Sequence, residues 1–118
     1  MTTIRPEELL PLTPAVFHIL LSLADGEKHG YSIMQEIATT TENKVKMGPG
    51  TLYGSIKRML AANLIVEWDG HPRPDSNDRR RRYYRLTSFG HRVLSAEAKR
   101  LADAVRLAQS KIVLGGVS

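Results

Sequence analysis

The 118-residue chain contains no cysteine. Disulfides, thiol nucleophiles and thiolate metal sites are thereby excluded, and a reducing cytoplasm is permitted. Aromatic residues are scarce, at 6%, with a single tryptophan, Trp68, and two phenylalanines. No wholly apolar run approaches the ~20 residues of a membrane span. The first residues carry Arg5, Pro6, Glu7 and Glu8 in place of an apolar stretch, which argues against a signal peptide. These absences together predict a soluble, cytoplasmic protein. The four histidines, His18, His29, His71 and His91, form no H-E-x-x-H motif and no i, i+4 pair, so no metal site is expected. Ser32 and Ser55 lack a G-x-S-x-G context. Gly48-Pro49-Gly50-Thr51 lacks the spacing and lysine of a phosphate-binding loop, and the carboxylates show no evident pairing. The sequence therefore predicts no enzyme, no catalytic residue and no cofactor.

Acidic residues are outnumbered. Lys and Arg total 17 against 12 Asp and Glu, a net charge of +5, and the pI is about 9.8. That excess favours a polyanionic partner and says nothing about fold. The hydrophobic fraction of 42% and charged fraction of 25% fit one ordinary globular domain. The cations are clustered. Arg79 to Arg82 run directly into Tyr83, Tyr84, Arg85, Leu86 and Thr87, residue types that suit a half-buried strand. Guanidinium groups ordered at the foot of a strand, beside tyrosines, match phosphate oxygens well. The competing reading is a solubilising surface loop.

Thr13 and Pro14 have the form of a capped helix start. Val16, Ile19, Leu20 and Leu23 follow at the spacing of one buried face, which Phe17 and Leu21 widen, and His18 reads as packed within that helix. Asp25 and Gly26 end it. A second, shorter helix is predicted over about Tyr31 to Thr39, after His29 and Gly30. A third begins near Thr51, with Leu52, Ile56, Met59 and Leu60 on one face and Tyr53, Gly54, Lys57 and Arg58 on the other. Asn63 tolerates positive φ and terminates it. Leu64 to Asp69 reads as a strand with Leu64, Val66 and Trp68 on one side, and Trp68 as an anchor under the hairpin. Gly70 to Asp78 is a loop and Arg80 to Leu86 the returning strand. A final helix, capped by Thr87 or Ser88, runs to about Lys111. Its Leu94, Ala98, Leu101, Val105, Ala108 and Ile112 alternate in steps of four and three, the seam of a coiled coil.

The predicted fold is mainly α with a small β-hairpin, a winged helix-turn-helix followed by a long C-terminal dimerisation helix. Residues 1–87 form the DNA-binding domain, 88–112 the helix and 113–118 a frayed tail. In such a fold the third helix enters the major groove and the wing touches the flanking backbone, and both basic clusters fall on those two elements. His29-Gly30-Tyr31 with Ile33, Gly50-Thr51-Leu52-Tyr53 with Lys57-Arg58, Leu64-Ile65 with Trp68, and the arginine run with Tyr83-Tyr84, Leu86-Thr87 and Gly90 resemble, in that order, the motifs of PadR-family transcriptional regulators. The resemblance spans roughly His29 to Leu94. The chain departs from the family pattern at Gly54, where proline is usual, and at Asn63 and Asp78, where glycine is common. The resemblance, which is to the short type with a single helix after the wing, implies a homodimer formed through the C-terminal helix and N-terminal region. It also implies repression at a pseudo-palindromic operator, relieved by a small-molecule inducer.

The expected DNA-binding residues are Tyr31, Thr51, Tyr53, Lys57, Arg58, Arg79, Arg80, Arg81 and Arg82. The hydroxyls of Thr51 and Tyr53 suit phosphate contacts, while packing of Tyr53 on the wing is the alternative. Lys57 suits a base edge or a deeper phosphate, against a merely solvated lysine. Tyr31 either meets phosphates or is buried against the third helix. Strand alternation keeps all four arginines from facing one way, so some would pair with Asp75, Asp78 or Glu67, and Arg73 would reach from the loop. The Leu94–Ile112 seam is expected to dimerise, or else to fold back on the first helix. Two other functional classes remain open on sequence alone. One is a small-molecule sensor with weak DNA binding, and the other is a protein-interaction module.

Overall fold

Thr13 acts as its type dictates. In the computed structural model, which describes residues 3–68 and 82–115, it is the N-cap of α1 (Pro14–Ser22), and its hydroxyl accepts the Val16 amide at 3.2 Å. Proline at the first helical position loses no hydrogen bond, because that amide has no intrahelical acceptor. Ile19 and Leu20, with Leu23 just beyond the helix, enter the core. Leu21 does not widen the buried stripe as expected. It is exposed, while Phe17 and His18 are half-buried and meet edge to face. The reason is geometric: three later helices, Gly30–Thr40, Pro49–Ala61 and Ser88–Leu114, all contact α1, and they leave its remaining side to solvent.

The helix-turn-helix unit is α2 (Gly30–Thr40) and α3 (Pro49–Ala61). α3 starts two residues earlier than the sequence suggests, because extended Gly48 serves as its N-cap and Pro49 takes the first helical position. Both helices end in the same left-handed motif. After α2, Glu42 and Asn43 have φ of 52° and 62°, and their amides reach back to Thr39 and Ala38 at 3.2 and 2.7 Å. After α3, Asn63 has φ 61°, and the Asn63 and Leu64 amides bond to Leu60 and Met59 at 3.1 and 2.9 Å. These bonds satisfy the last carbonyls of each helix and turn the chain sharply. Asn63 is thus the terminator its residue type predicts. Thr41 pins the intervening turn by donating to the Ile37 carbonyl at 2.7 Å and accepting the Val45 amide at 3.1 Å.

The sheet has three antiparallel strands in the order β1-β3-β2: β1 (Lys28–His29), β2 (Ile65–Trp68) and β3 (Tyr83–Leu86). The β2–β3 hairpin is the predicted wing, with Ile65 opposite Leu86 and Trp68 opposite Tyr83. The sequence gives no hint of β1, since two residues carry no periodicity. Its edge pairing, Lys28 with Tyr84 and His29 with Tyr83, corrects the expected two-stranded hairpin. The side assignment within β2 is also corrected. Ile65 is the strand's core residue, buried beside Leu64, whereas Val66 and Trp68 are half-buried. Leu64 precedes the strand and belongs to the α3 cap, so simple alternation does not apply to it. Residues 69–81, which hold the expected loop and Arg73, Asp75, Asp78, Arg79, Arg80 and Arg81, lie outside the described residues.

Thr87 caps α4 (Ser88–Leu114). Its hydroxyl accepts the Gly90 amide at 2.8 Å and donates to the Asn63 carbonyl at 2.7 Å, while its own amide bonds to Leu64 at 3.1 Å. One threonine therefore ties the end of α3 to the start of α4. Gly90 is needed for this joint, because a β-carbon there would lie 2.0 Å from the Leu64 carbonyl oxygen. A short 3-10 helix, Pro6–Leu9, precedes α1 and packs against α4. The core joins Ile19, Leu20 and Leu23 to Ile33 and Ile37 of α2, Leu52, Ile56 and Met59 of α3, Ile65 and Tyr84 of the sheet and Val93 of α4.

Candidate nucleic-acid interface

α3 is two-sided. Leu52, Ser55, Ile56 and Met59 are buried, and Thr51, Tyr53, Lys57 and Arg58 face solvent. The apolar face is fixed by the core, so the cationic face is fixed outward. Among the described residues, neither Lys57 nor Arg58 has a carboxylate partner. Arg58 only donates to Ser55 Oγ at 3.3 Å. Gly48 offers no side-chain cap, so the first-turn amides of α3 are left to an external acceptor, at the end of a helix where the dipole favours an anion.

The start of α2 adjoins this face. His29 caps α2, its Nδ1 accepting the Ser32 amide at 3.3 Å. Tyr31 is 60% exposed, which excludes burial of its ring against α3. Tyr53 is 48% exposed, and its phenol lies near enough to Tyr84 of β3 to help burial push that phenol's pKa up. The Tyr53 ring lies across the first turn of α2, where a β-carbon built on Gly30 would sit 2.4 Å from its oxygen. This link between the two glycine-containing motifs is not apparent from either motif alone.

The wing's outer side carries a row of rings across all three strands. Tyr83 stands 5.7 Å from His29 and 5.8 Å from Trp68, centroid to centroid. These are cross-strand neighbours of the kind that stabilise sheets, and Trp68, half-buried, belongs to this row and not to the core cluster, where the sequence suggests an anchor. Tyr84, on the other side, is buried, and desolvation pushes its phenol up, with Glu67 adding to the effect. It stays neutral beneath the hairpin. Arg82 is exposed at the foot of β3 and ion-paired with Glu67, one of the pairings anticipated for the arginine run. Arg85 also faces outward from β3.

The α4 seam divides. Leu94 packs against the core and Leu101 is half-buried, but Ala98, Val105, Ala108 and Ile112 are exposed. The residues that enter the domain are Gly90, Val93 and Glu97, a stripe beside the seam that sequence periodicity misses because only Val93 in it is a large apolar residue. Glu97 is 2% exposed. It accepts the Leu12 amide at 2.8 Å and pairs with Arg100. The Arg100 guanidinium, followed by the Leu12 amide, holds this carboxyl below the usual range against the opposing cost of burial. Leu107, Val113 and Leu114 are further exposed apolar residues outside the seam. Among the described residues no cluster could hold a metal ion, and no helix is long and apolar enough to cross a membrane.

Residues 19–96 match the model of the transcriptional regulator PadR-like family. Among curated proteins, the chain is similar to transcriptional regulator Rv3488 of Mycobacterium tuberculosis. The two are 34% identical over 101 residues, which is 86% of this chain and 83% of that protein. Two solved structures share the fold. Bordetella bronchiseptica BpsR, whose DNA binding is regulated by 6-hydroxynicotinic acid, superposes with a TM-score of 0.61 at 24% identity, covering 95% of this chain and 74% of that one. Bacillus subtilis PadR in complex with operator DNA gives a TM-score of 0.59 at 20% identity, covering 69% and 44%.

Proposed function

This chain belongs to the PadR-like family of transcriptional regulators, and from that premise we propose that it is a homodimeric repressor that binds a pseudo-palindromic operator through α3 and the wing. The observation that carries the reading is the face of α3. Its cations are held outward, without carboxylate partners among the described residues, by a helix whose reverse side is core. Thr51, Tyr53 and Tyr31 supply hydroxyls for phosphates, which position the helix, while Lys57 reaches deeper into the groove. Arg58, Arg82 and the neighbouring Arg79 to Arg81 contact the flanking backbone.

The exposed seam from Ala98 to Ile112 is the surface for a second copy, because an apolar stripe of that length in water favours association. Two recognition helices would then reach half-sites about one helical turn apart, ~34–36 Å. Release by a small molecule is the regulatory part of the proposal, supported by what is known of BpsR. A regulator works where its DNA is, so the proposal includes a cytoplasmic location.

The test is a salt titration of duplex binding with Lys57→Ala and with Arg82→Ala. Each phosphate-contacting cation removed should lower affinity for all sequences alike and reduce the salt slope by about one unit. Unchanged affinity and slope in both variants would sink the assignment.

A further inference from the structure

Three described glycines illustrate how differently a missing side chain can act. A β-carbon at Gly54 would meet only the tip of Arg58, at 3.9 Å. One at Gly90 would strike the backbone oxygen of Leu64 at 2.0 Å, and backbone in a packed joint cannot give way. At Gly30 the clash is also severe, 2.4 Å to the Tyr53 oxygen, 2.9 Å to Cζ and 3.1 Å to Cε1. Here, however, the obstacle is the far end of a side chain that turns about two bonds. Gly30 does not have a positive φ, so its backbone would accept an L side chain. Backbone conformation therefore does not require glycine at this position. The Tyr53 ring does.

We propose that Gly30 is a positioning residue for DNA binding: its bare α-carbon is the seat that holds the Tyr53 phenol at the entrance to α2, beside exposed Tyr31. This rests on the reading that Tyr53 contacts phosphates. The seat fixes a ring that is half in solvent and would otherwise sample several rotamers. Held there, the hydroxyl is presented together with the first turn of α3 and needs no further ordering when DNA arrives, which lowers the entropic cost of the contact. Any side chain at 30 evicts the ring and leaves both helices in place.

The test is a double-mutant cycle on the full chain with Gly30→Ala, Tyr53→Ala and the pair, read by affinity for random-sequence duplex DNA at low salt. Random sequence suffices because phosphate contacts are sequence-independent. In parallel, the nuclear Overhauser contact between the Gly30 α-protons and the Tyr53 ring is measured in the parent, and the Tyr53 ring shifts are followed in Gly30→Ala. The expected result is a folded Gly30→Ala whose Tyr53 ring shifts move. Its affinity should fall about three- to tenfold, the scale of one hydrogen bond, to match Tyr53→Ala, with no further loss in the double variant. Unmoved ring shifts, or losses that add, would overturn the positioning role and make Gly30 a packing residue of the α2–α3 contact. Parent-like affinity in Tyr53→Ala alone would instead remove the underlying Tyr53 contact, and the proposal with it.

Discussion

The two halves of α4 share one helix and one apolar rhythm but meet different surroundings. From Gly90 to Glu97 the inward residues lie against α1, β3 and the N-terminal 3-10 helix, and Gly90, Val93 and Glu97 are buried. From residue 102 to residue 115 every residue is exposed. Two carboxylates sharpen the contrast. Glu97 and Asp103 each pair with an arginine three residues on. Glu97 also accepts a backbone amide from a segment 85 residues away, while Asp103 has only solvent-exposed partners on its own helix, Lys99 and Arg106. The first half is therefore part of the domain's core, and the second projects from it with its apolar stripe exposed.

The largest expected effect comes from breaking the buried end. Gly90→Ala forces the Leu64 carbonyl away and should cost about 3 kcal/mol, the upper range for overpacking, seen as a marked fall in the thermal midpoint. Val105→Asp with Ile112→Asp attacks the other end. The sedimenting mass should halve and operator binding should weaken, while helical content per chain stays largely intact. If those two aspartates leave the mass unchanged, the seam is not the interface.

A smaller effect should come from Glu97→Gln, which weakens a charge-assisted bond to the Leu12 amide and the pairing with Arg100, a loss on the order of 1.5 kcal/mol at neutral pH. Its pH dependence has a definite sign. The folded carboxyl lies below its ordinary value, so its contribution is present above the unfolded pKa of about 4.3 and is lost as pH falls through the lower folded value. Thermal midpoints measured on acidification should therefore fall more steeply in the parent than in Glu97→Gln, and parallel curves would contradict the role given to Glu97. Least of all should Asp103→Asn matter. Its carboxyl is also held below the usual range, first by Lys99, but in full contact with water such pairs contribute little, and the midpoint should not move measurably.

Much of this architecture was legible in residue types. The Thr13-Pro14 start, the Asn63 stop and the two faces of α3 follow from local chemistry, because capping, positive φ and a 3.6-residue period act within a few residues. Long-range relations were not legible. β1 is too short to carry a period. Ile65 is the wing's core residue because Leu64 is taken by the α3 cap. Glu97 is buried because a distant amide needs an acceptor, and Tyr53 lies over Gly30 because two separate motifs meet in space. Within the candidate interface, the outward placement of Tyr53, Lys57 and Arg58 followed from α3's periodicity, whereas the pairing of Arg82 with Glu67 depends on the hairpin register.

Selection of duplexes from random-sequence DNA, repeated at low and at moderate salt, tests the central claim most directly. An enriched inverted repeat with half-sites about one helical turn apart, bound more weakly as salt rises, is the expected result. Absence of any salt-dependent binding, or enrichment of an unrepeated single site, would contradict a dimer that reads DNA through two copies of α3.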